Sequence, residues 1–142
     1  NDSVMAAKKI QVTQVDHERL TRLIDSTRNV STQDQAFLDK LRTELVRARI
    51  ISSKRVKPDV VTMNSTIKLR DLDNGELHEY QLVYPQDADP ENNKLSILAP
   101  VGTALLGFSV GDTVEWPVPA GLRHLKIEEI IYQPESAGDY TL

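Results

Sequence analysis

The sequence contains no cysteine among its 142 residues. Disulfide bonds, thiolate metal sites and a cysteine nucleophile are therefore excluded. Small secreted domains usually need disulfides for stability, so their absence favours the cytosol. The chain also lacks any run of about 18 apolar residues, the length that a membrane-spanning helix needs, and no signal-peptide core follows its start. We therefore expect a cytoplasmic location and no association with a membrane.

Aromatic residues are scarce, with 2 Phe, 4 Tyr and 1 Trp in the whole chain. They do not alternate with basic residues, so the sequence offers no stacking platform for single-stranded nucleic acid. Trp116 lies in the segment 114–118, which reads as a strand interrupted by a proline. Proline removes a backbone donor, which predicts an edge strand or a bend. Two interpretations of Trp116 remain open, packing at the rim of the core and an exposed anchor for a partner.

The residues that usually carry catalysis or metal binding are widely separated. His17, His78 and His124 lie in different predicted elements, and none has a second ligand three or four positions away, so we expect no metal site and no cofactor. The segment Gly107-Phe-Ser-Val-Gly111 matches the nucleophile-elbow pattern, but that motif needs a strand before the serine and a helix after it. Here the order is reversed, so the glycines indicate a turn and the chain is not expected to be an enzyme.

Charge is distributed unevenly along the chain. Residues 1–57 contain 12 Lys/Arg and 7 Asp/Glu, a net charge of +5, whereas residues 58–142 contain 5 Lys/Arg and 14 Asp/Glu, a net charge of −9. This break predicts a boundary near Lys57, which separates an N-terminal part of residues 1–57 from a C-terminal domain of residues 58–142. The acidic part should repel nucleic acid, although both parts are also consistent with ordinary solvated surfaces.

The N-terminal part has the pattern of two helices. Asp16 is expected to cap the first helix, whose apolar stripe is formed by Leu20, Leu23 and Ile24 before a turn at residues 26–29. Thr32 and Gln35 have the spacing of a capping box at the start of a second helix over residues 33–49. Its apolar seam consists of Leu38, Leu41, Leu45 and Ala48. Neither helix can bury its stripe alone, which predicts an antiparallel hairpin, a short coiled coil.

The C-terminal part changes to the pattern of strands. We predict strands over 60–63, 66–70, 77–84, 95–97, 113–118 and 122–132. Asn74-Gly75 predicts a hairpin turn, while Pro100 and Gly107 mark the start and end of one short helix. In the last strand, Leu125, Ile127, Glu129 and Ile131 are expected to share one face. Together these elements predict an antiparallel α+β domain.

Several segments carry a resemblance to a known family. Residues 96–107, Ser-Ile-Leu-Ala-Pro-Val-Gly-Thr-Ala-Leu-Leu-Gly, followed by Val-Gly-Asp at 110–112, resemble the C-terminal domain of the bacterial GreA/GreB transcript-cleavage factors. Segments 59–65, 82–85 and 132–140 make the chain similar to the Rnk family, the regulators of nucleoside diphosphate kinase. The resemblance covers residues 59–142 and is looser over residues 9–57.

The resemblance implies an FKBP-like antiparallel β-sheet domain with one short helix, joined to a coiled-coil arm. It also implies binding to core RNA polymerase at the rim of the secondary channel, with nucleic acid contacted only indirectly within the transcription complex. The polymerase-binding residues it indicates are Ser96, Ala99, Pro100, Val101 and Gly102. The cleavage factors usually have serine where this chain has Ala99, so one side-chain donor is missing here. We expect the protein to be a monomer.

The hairpin tip differs from that of the cleavage factors, whose acidic residues help to position a catalytic magnesium ion. Residues 27–33 contain no acid, Asp34 stands alone beside them, and the arm is shorter. The leading hypothesis is therefore a regulator that docks at the secondary channel without stimulating cleavage. The alternatives are a true cleavage factor and, because of the FKBP-like fold, a prolyl isomerase or chaperone. An effect on nucleoside diphosphate kinase follows only from the family name.

Overall fold

The computed structural model describes residues 10–27, 32–118 and 121–139. It confirms the predicted α+β fold, a helical hairpin followed by a β-sheet with one short helix. The N-terminal elements are β1 (Gln11–Thr13), α1 (Gln14–Ser26), α2 (Thr32–Arg47) and β2 (Arg49–Ile51). They are followed by β3 (Thr66–Asp71), β4 (Leu77–Val83), β5 (Lys94–Ser96), α3 (Pro100–Leu105), β6 (Thr113–Val118) and β7 (Gly121–Tyr132). In these ranges, no helix is both long enough and apolar enough to cross a membrane.

The N-cap of the first helix lies three residues before the predicted cap, Asp16. Thr13 is the N-cap, and its Oγ1 accepts a hydrogen bond of 3.1 Å from the backbone N–H of Asp16. The prediction that Asp16 caps α1 is therefore wrong. Its carboxylate instead accepts a hydrogen bond of 3.0 Å from the backbone N–H of Met63, so it joins α1 to the segment before β3. A threonine that ends a strand can cap a helix as well as an aspartate can, and sequence spacing does not separate the two.

The leucine seam of the second helix is confirmed, because Leu38, Leu41 and Leu45 are each at most 3% exposed. The ring Nε2 of His17 lies 3.1 Å from the carbonyl oxygen of Leu45, which places the start of α1 beside the end of α2, as in an antiparallel hairpin. The helix ends at Arg47 rather than at residue 49. The predicted turn extends into residues 28–31, which lie outside the described residues, as does the side chain of Thr32 in the capping box.

A small parallel sheet joins the two ends of the hairpin, and the sequence did not predict it. Val12 of β1 pairs with Ile50 of β2, and the N–H of Arg49 donates to the carbonyl oxygen of Ile10 at 2.9 Å. Each strand has three residues. Such short segments carry no detectable alternation, so their pairing depends on the hairpin bringing them together.

The larger sheet has five strands in the order β5-β4-β3-β7-β6. Its pairs are antiparallel, as predicted, except for β4–β5 at one edge, which is parallel. The proline-containing β6 lies at the other edge, as predicted. The side chain of Trp116 lies outside the described residues, and both interpretations of it stay predictions. In the β3–β4 hairpin, Gly75 takes the positive φ of +78° that the Asn-Gly signal predicted.

Residues 60–63 are buried, but they do not form the predicted strand. Val60 makes an isolated bridge to Ser109, and Val61 exchanges backbone hydrogen bonds with Phe108 and Gly107 at 2.8 and 2.9 Å. This segment is a linker between the two parts, and its residues are apolar because they are buried. A short apolar run indicates burial more securely than it indicates a strand.

The last strand changes face along its length. Leu69 of β3 pairs with Ile127, but the preceding residue of β3, Lys68, pairs with Glu129, which leaves Glu128 as an extra residue. This bulge brings Ile130 against the core, while Ile131 is 43% exposed. The prediction of one continuous face is therefore correct for Leu125 and Ile127 and wrong for Glu129 and Ile131, because an inserted residue reverses the alternation.

One hydrophobic cluster contains residues from both sides of the predicted boundary at Lys57, including Ile10 and Leu41 on one side and Met63 and Leu105 on the other. The two parts are in close contact at Gly107, where a Cβ atom would lie 2.4 Å from the Cβ of Ile10. The division into residues 1–57 and 58–142 stays a prediction.

Candidate functional site

The segment that leads into α3 is a tight loop held by its own backbone. The N–H of Ala99 donates to the carbonyl oxygen of Ser96 at 3.0 Å, and the Oγ of Ser96 accepts from the N–H of Leu98 at 3.0 Å. The N–H of Ile97 donates to the carbonyl oxygen of Val83 at 2.9 Å, which fixes the loop to the end of β4. Pro100 then begins the helix, where its missing N–H costs no hydrogen bond.

Two of the five predicted polymerase-binding residues are buried and shape the loop from within. Val101 is 3% exposed. Gly102 lies so close to the loop that a Cβ atom would be 2.3 Å from the carbonyl oxygen of Ser96. The hydroxyl of Thr103 donates to the carbonyl oxygen of Ile97 at 2.8 Å and closes the same turn. Direct contact with a partner would therefore come from Ser96 and Ala99, which are half-buried; the side chain of Pro100 lies outside the described residues.

A groove of about 500 Å³ lies beside this loop. Leu69, Leu95, Val101 and Leu125 provide apolar lining, and Glu76, His78, Tyr80 and Arg123 are among the other residues that line it. Ala99 belongs to the lining and joins the groove to the loop. Sequence reasoning did not identify this groove. Alternation in β3 and β7 indicated which residues share a face, but the sequence did not show that strand order leaves this face open beside α3.

A half-buried ion pair lies in the groove, where Arg123 of β7 binds the carboxylate of the buried Asp71 at the end of β3. Burial alone would raise the pKa of Asp71. The hydrogen bond from the N–H of Asp73 and the guanidinium of Arg123 outweigh that effect and hold the pKa below its usual range. The groove therefore combines apolar surface with a fixed pair of opposite charges.

The remaining sequence candidates are not brought together. His17, His78 and His124 lie on α1, β4 and β7, and no three His, Cys, Asp or Glu side chains of the described residues form a group that could hold a metal ion. Ser109 lies in a turn, where its N–H donates to Asp112 Oδ2 at 2.8 Å, and Gly111 has a φ of +95°. The glycines of this motif therefore serve a turn, as predicted. Asp34 lies in α2, and its side chain is outside the described residues.

The contact between the hairpin and the sheet domain contains a buried acid. Asp16 is 4% exposed and accepts a hydrogen bond from the N–H of Met63. Burial raises the pKa of Asp16 to about 6, against the opposing effects of that hydrogen bond and of Arg19. A carboxyl group with a raised pKa favours the folded state in its protonated form, so its contribution to stability falls as the pH rises from about 4 through 6.

We expect Asp16→Asn to remove this pH dependence. Asparagine keeps an oxygen for the N–H of Met63, and the free energy of unfolding of the wild-type protein, relative to the variant, should fall by about 2 kcal/mol between pH 4 and pH 7. Urea unfolding across this range measures the difference. Asp25→Asn is the matched control, because its side chain is 61% exposed, and it should show little pH-dependent difference. If the difference in unfolding free energy between the wild-type protein and Asp16→Asn does not change with pH, the raised pKa of Asp16 is contradicted.

Two family models match the chain, one in each of its two parts. The model described as "Transcription elongation factor, GreA/GreB, C-term" matches residues 56–132, and the model described as "Rnk N-terminus" matches residues 8–51. The first match contains the loop, α3 and the whole groove. Both matches lie on the segments that carry the resemblance in the sequence.

Individual relatives agree with these models. The "Regulator of nucleoside diphosphate kinase" of Escherichia coli strain K12 is 42% identical over 97% of this chain and 100% of its own length. The "Transcription elongation factor GreA" of Chlorobium phaeobacteroides is 41% identical over 75% of this chain and 67% of its own length. A solved structure, "Prokaryotic transcription elongation factor GreA/GreB from Nitrosomonas europaea", covers 88% of this chain at 40% identity with a TM-score of 0.75.

Proposed function

We propose that this chain, which belongs to the Rnk family of GreA/GreB-type proteins, binds core RNA polymerase at the rim of the secondary channel without stimulating transcript cleavage. Its relatives make it a regulator of the transcription-elongation-factor type. The observation that carries the finer proposal is the loop of residues 96–102 beside an open groove of about 500 Å³. A rigid loop next to an apolar groove suits docking of a protein element.

The loop suits docking because its shape does not depend on the partner. Its backbone is closed by hydrogen bonds from Ala99 and Thr103, and Gly102 packs against it with no room for a side chain. A surface that is already ordered loses little conformational entropy on binding. In the groove, the apolar side chains would provide contact area, and the Arg123–Asp71 pair would orient a polar group of the partner.

The absence of cleavage follows from the chemistry of the hairpin tip. Placing Mg²⁺ requires carboxylate oxygens held close together, and residues 27–33 contain no acid. The helix α2 has 16 residues, which corresponds to a length of about 24 Å. This arm provides neither a cluster of acidic residues nor a long reach. The protein would therefore dock without supplying the groups that cleavage requires.

The proposal predicts that the full chain co-purifies with core RNA polymerase and is displaced by a Gre factor. Ala99→Glu places a charge where the loop meets the groove and should weaken binding by about tenfold or more. Ala137→Glu is the matched control, because it makes the same change at an exposed position away from the groove, and it should bind like the wild-type protein. Failure to bind polymerase would refute the proposal, and unchanged binding by a folded Ala99→Glu variant would refute its mapping.

A further inference from the structure

The small parallel sheet has one open edge. In the part of the chain that the structure describes, this sheet consists of β1 and β2 alone. The edge on the β1 side is covered, because the N–H of Gln11 donates to the carbonyl oxygen of Gly107 at 3.4 Å. On β2, the N–H of Arg49 points inward and donates to the carbonyl oxygen of Ile10. The edge on the β2 side therefore belongs to the next residue, Ile50.

The backbone of Ile50 is available for a further strand. Backbone groups point to alternate sides along a strand, so the N–H and the carbonyl oxygen of Ile50 point away from β1. Neither group forms a hydrogen bond with any described residue. A strand edge of this kind offers both a donor and an acceptor to an extended peptide.

The surface on one side of this edge is apolar. Val46, near the end of α2, is 80% exposed, and Ile50 is 53% exposed. Both line a cavity of about 300 Å³ whose walls come from α1, α2 and β2. Ile24 and Leu45 add further apolar lining, and none of the described residues that line the cavity is an acid. An apolar side chain placed here would cover Val46 and Ile50 and remove their exposed surface from water.

The surroundings of the edge are basic. Successive side chains of a strand lie on opposite faces, so Arg49 lies on the face of β2 away from the side chain of Ile50. Residues 48–58 contain no acid, and their exposed basic residues are Arg49, Lys54, Arg55 and Lys57. None of these four forms an ion pair within the described ranges. Their positive charge would attract acidic side chains of a partner.

We propose that β2 accepts an extended segment of a partner protein as a third strand, in which apolar residues alternate with acidic residues. The apolar side chains pack against Val46 and Ile50, and the acidic ones lie on the side of Arg49. Main-chain hydrogen bonds provide affinity in this mode of binding, and the alternating side chains provide specificity. The site is separate from the groove beside α3, with which its cavity shares no lining residue.

A nucleic acid strand suits this surface less well than a peptide. It has no peptide groups to match the donor and the acceptor of Ile50. The described lining of the cavity also contains no Phe, Tyr or Trp on which a base could stack. The basic residues alone would fit either partner, whereas the strand edge and the apolar cavity fit the peptide.

The first test is calorimetric titration of the full chain with a peptide of about seven residues, blocked at both ends, that alternates aspartate or glutamate with valine. We expect saturable binding, and the same peptide with lysine at the acidic positions should bind more weakly by about tenfold or more. At saturation, amide hydrogen exchange at Ile50 should slow, because its N–H gains a partner. No saturable binding of the acidic peptide up to about 5 mM would overturn the proposal.

Two charge reversals locate the site on the chain. Arg49→Glu should weaken binding of the acidic peptide by about tenfold or more. Arg22→Glu is the matched control, because it makes the same change at an exposed residue of α1 outside the cavity, and it should change the affinity by no more than about twofold. Equal losses in the two variants would show attraction by net charge alone and would overturn the proposal.

Backbone methylation of the peptide separates strand addition from attraction of charge. Methylating the amide nitrogens of all valines, or of all acidic residues, removes the donors along one edge of the peptide and leaves the other edge intact. One of the two methylated peptides should keep its affinity, and the other should lose about tenfold or more. Equal binding of the two would overturn the proposal. Tighter binding of an oligouridine of roughly 12 nucleotides than of the acidic peptide would assign the basic residues to nucleic acid and overturn it as well.

Discussion

Replacing Gly102 with alanine is expected to destabilise the protein by about 3 kcal/mol or more and to abolish polymerase binding. The added Cβ would lie 2.3 Å from the carbonyl oxygen of Ser96 and 3.2 Å from the Cα of Ile97, both of them backbone atoms. Neither can move without displacing the loop that carries Ala99. The hydrogen bond from Thr103 to Ile97 would be stretched by the same displacement.

Urea unfolding and polymerase co-purification measure the two effects of Gly102→Ala. Gly75→Ala is the control, since Gly75 has a φ of +78° and a Cβ there meets no atom within 4 Å. The control should lose about 1 kcal/mol from backbone strain alone and should bind polymerase normally. The loop does not have the rigidity that the proposed docking requires if Gly102→Ala lowers the free energy of unfolding no more than Gly75→Ala does. The same conclusion follows if the Gly102→Ala variant binds polymerase fully.

On a stalled, backtracked elongation complex, the protein alone should leave the RNA uncut above background and should slow the cut that a Gre factor stimulates. In the proposed function, docking depends on the surface around residues 96–102, whereas cleavage would need several carboxylates delivered into the channel. This chain has the segment proposed for docking, but its hairpin tip, residues 27–33, contains no acid. Interference then follows mass action, so it should grow with concentration relative to the dissociation constant.

The Ala99→Glu variant distinguishes occupancy of the channel rim from an indirect effect on the cleavage assay. If docking causes the interference, this variant should lose it, and the Ala137→Glu control should retain it. Robust cleavage by the protein alone would overturn the proposed function, and Asp34→Asn would then test the acid nearest the tip. Unchanged Gre-dependent cleavage at saturating protein would show that the two factors do not share a site.

Several parts of the structure follow from local features of the sequence. The spacing of Leu38, Leu41 and Leu45 suffices to define a buried helical seam, because a helix brings residues three and four apart onto one side. Pro100 and Gly107 mark the bounds of α3 through their own backbone preferences. The proline after Trp116 predicts an edge strand because it removes a ladder donor, and β6 does lie at the edge of the sheet.

The candidate site could be predicted only in part from the sequence. The resemblance directed attention to Ser96–Gly102, but it did not separate the half-buried Ser96 and Ala99 from the buried Val101 and Gly102. That distinction depends on how α3 packs against the end of β4. The Arg123–Asp71 pair joins residues far apart in the chain, and only the pairing of β3 with β7 brings them together.

The sequence by itself therefore determined the order and type of most elements, the leucine seam and the family. The tertiary structure alone decided the parallel pairing of β1 with β2 and of β4 with β5, the bulge at Glu128 and the burial of Asp16 against Met63. It also decided the groove beside α3. Local preferences act between residues a few positions apart, whereas pairing, bulges and cavities depend on which distant segments the core brings into contact, and no short stretch of sequence records those contacts.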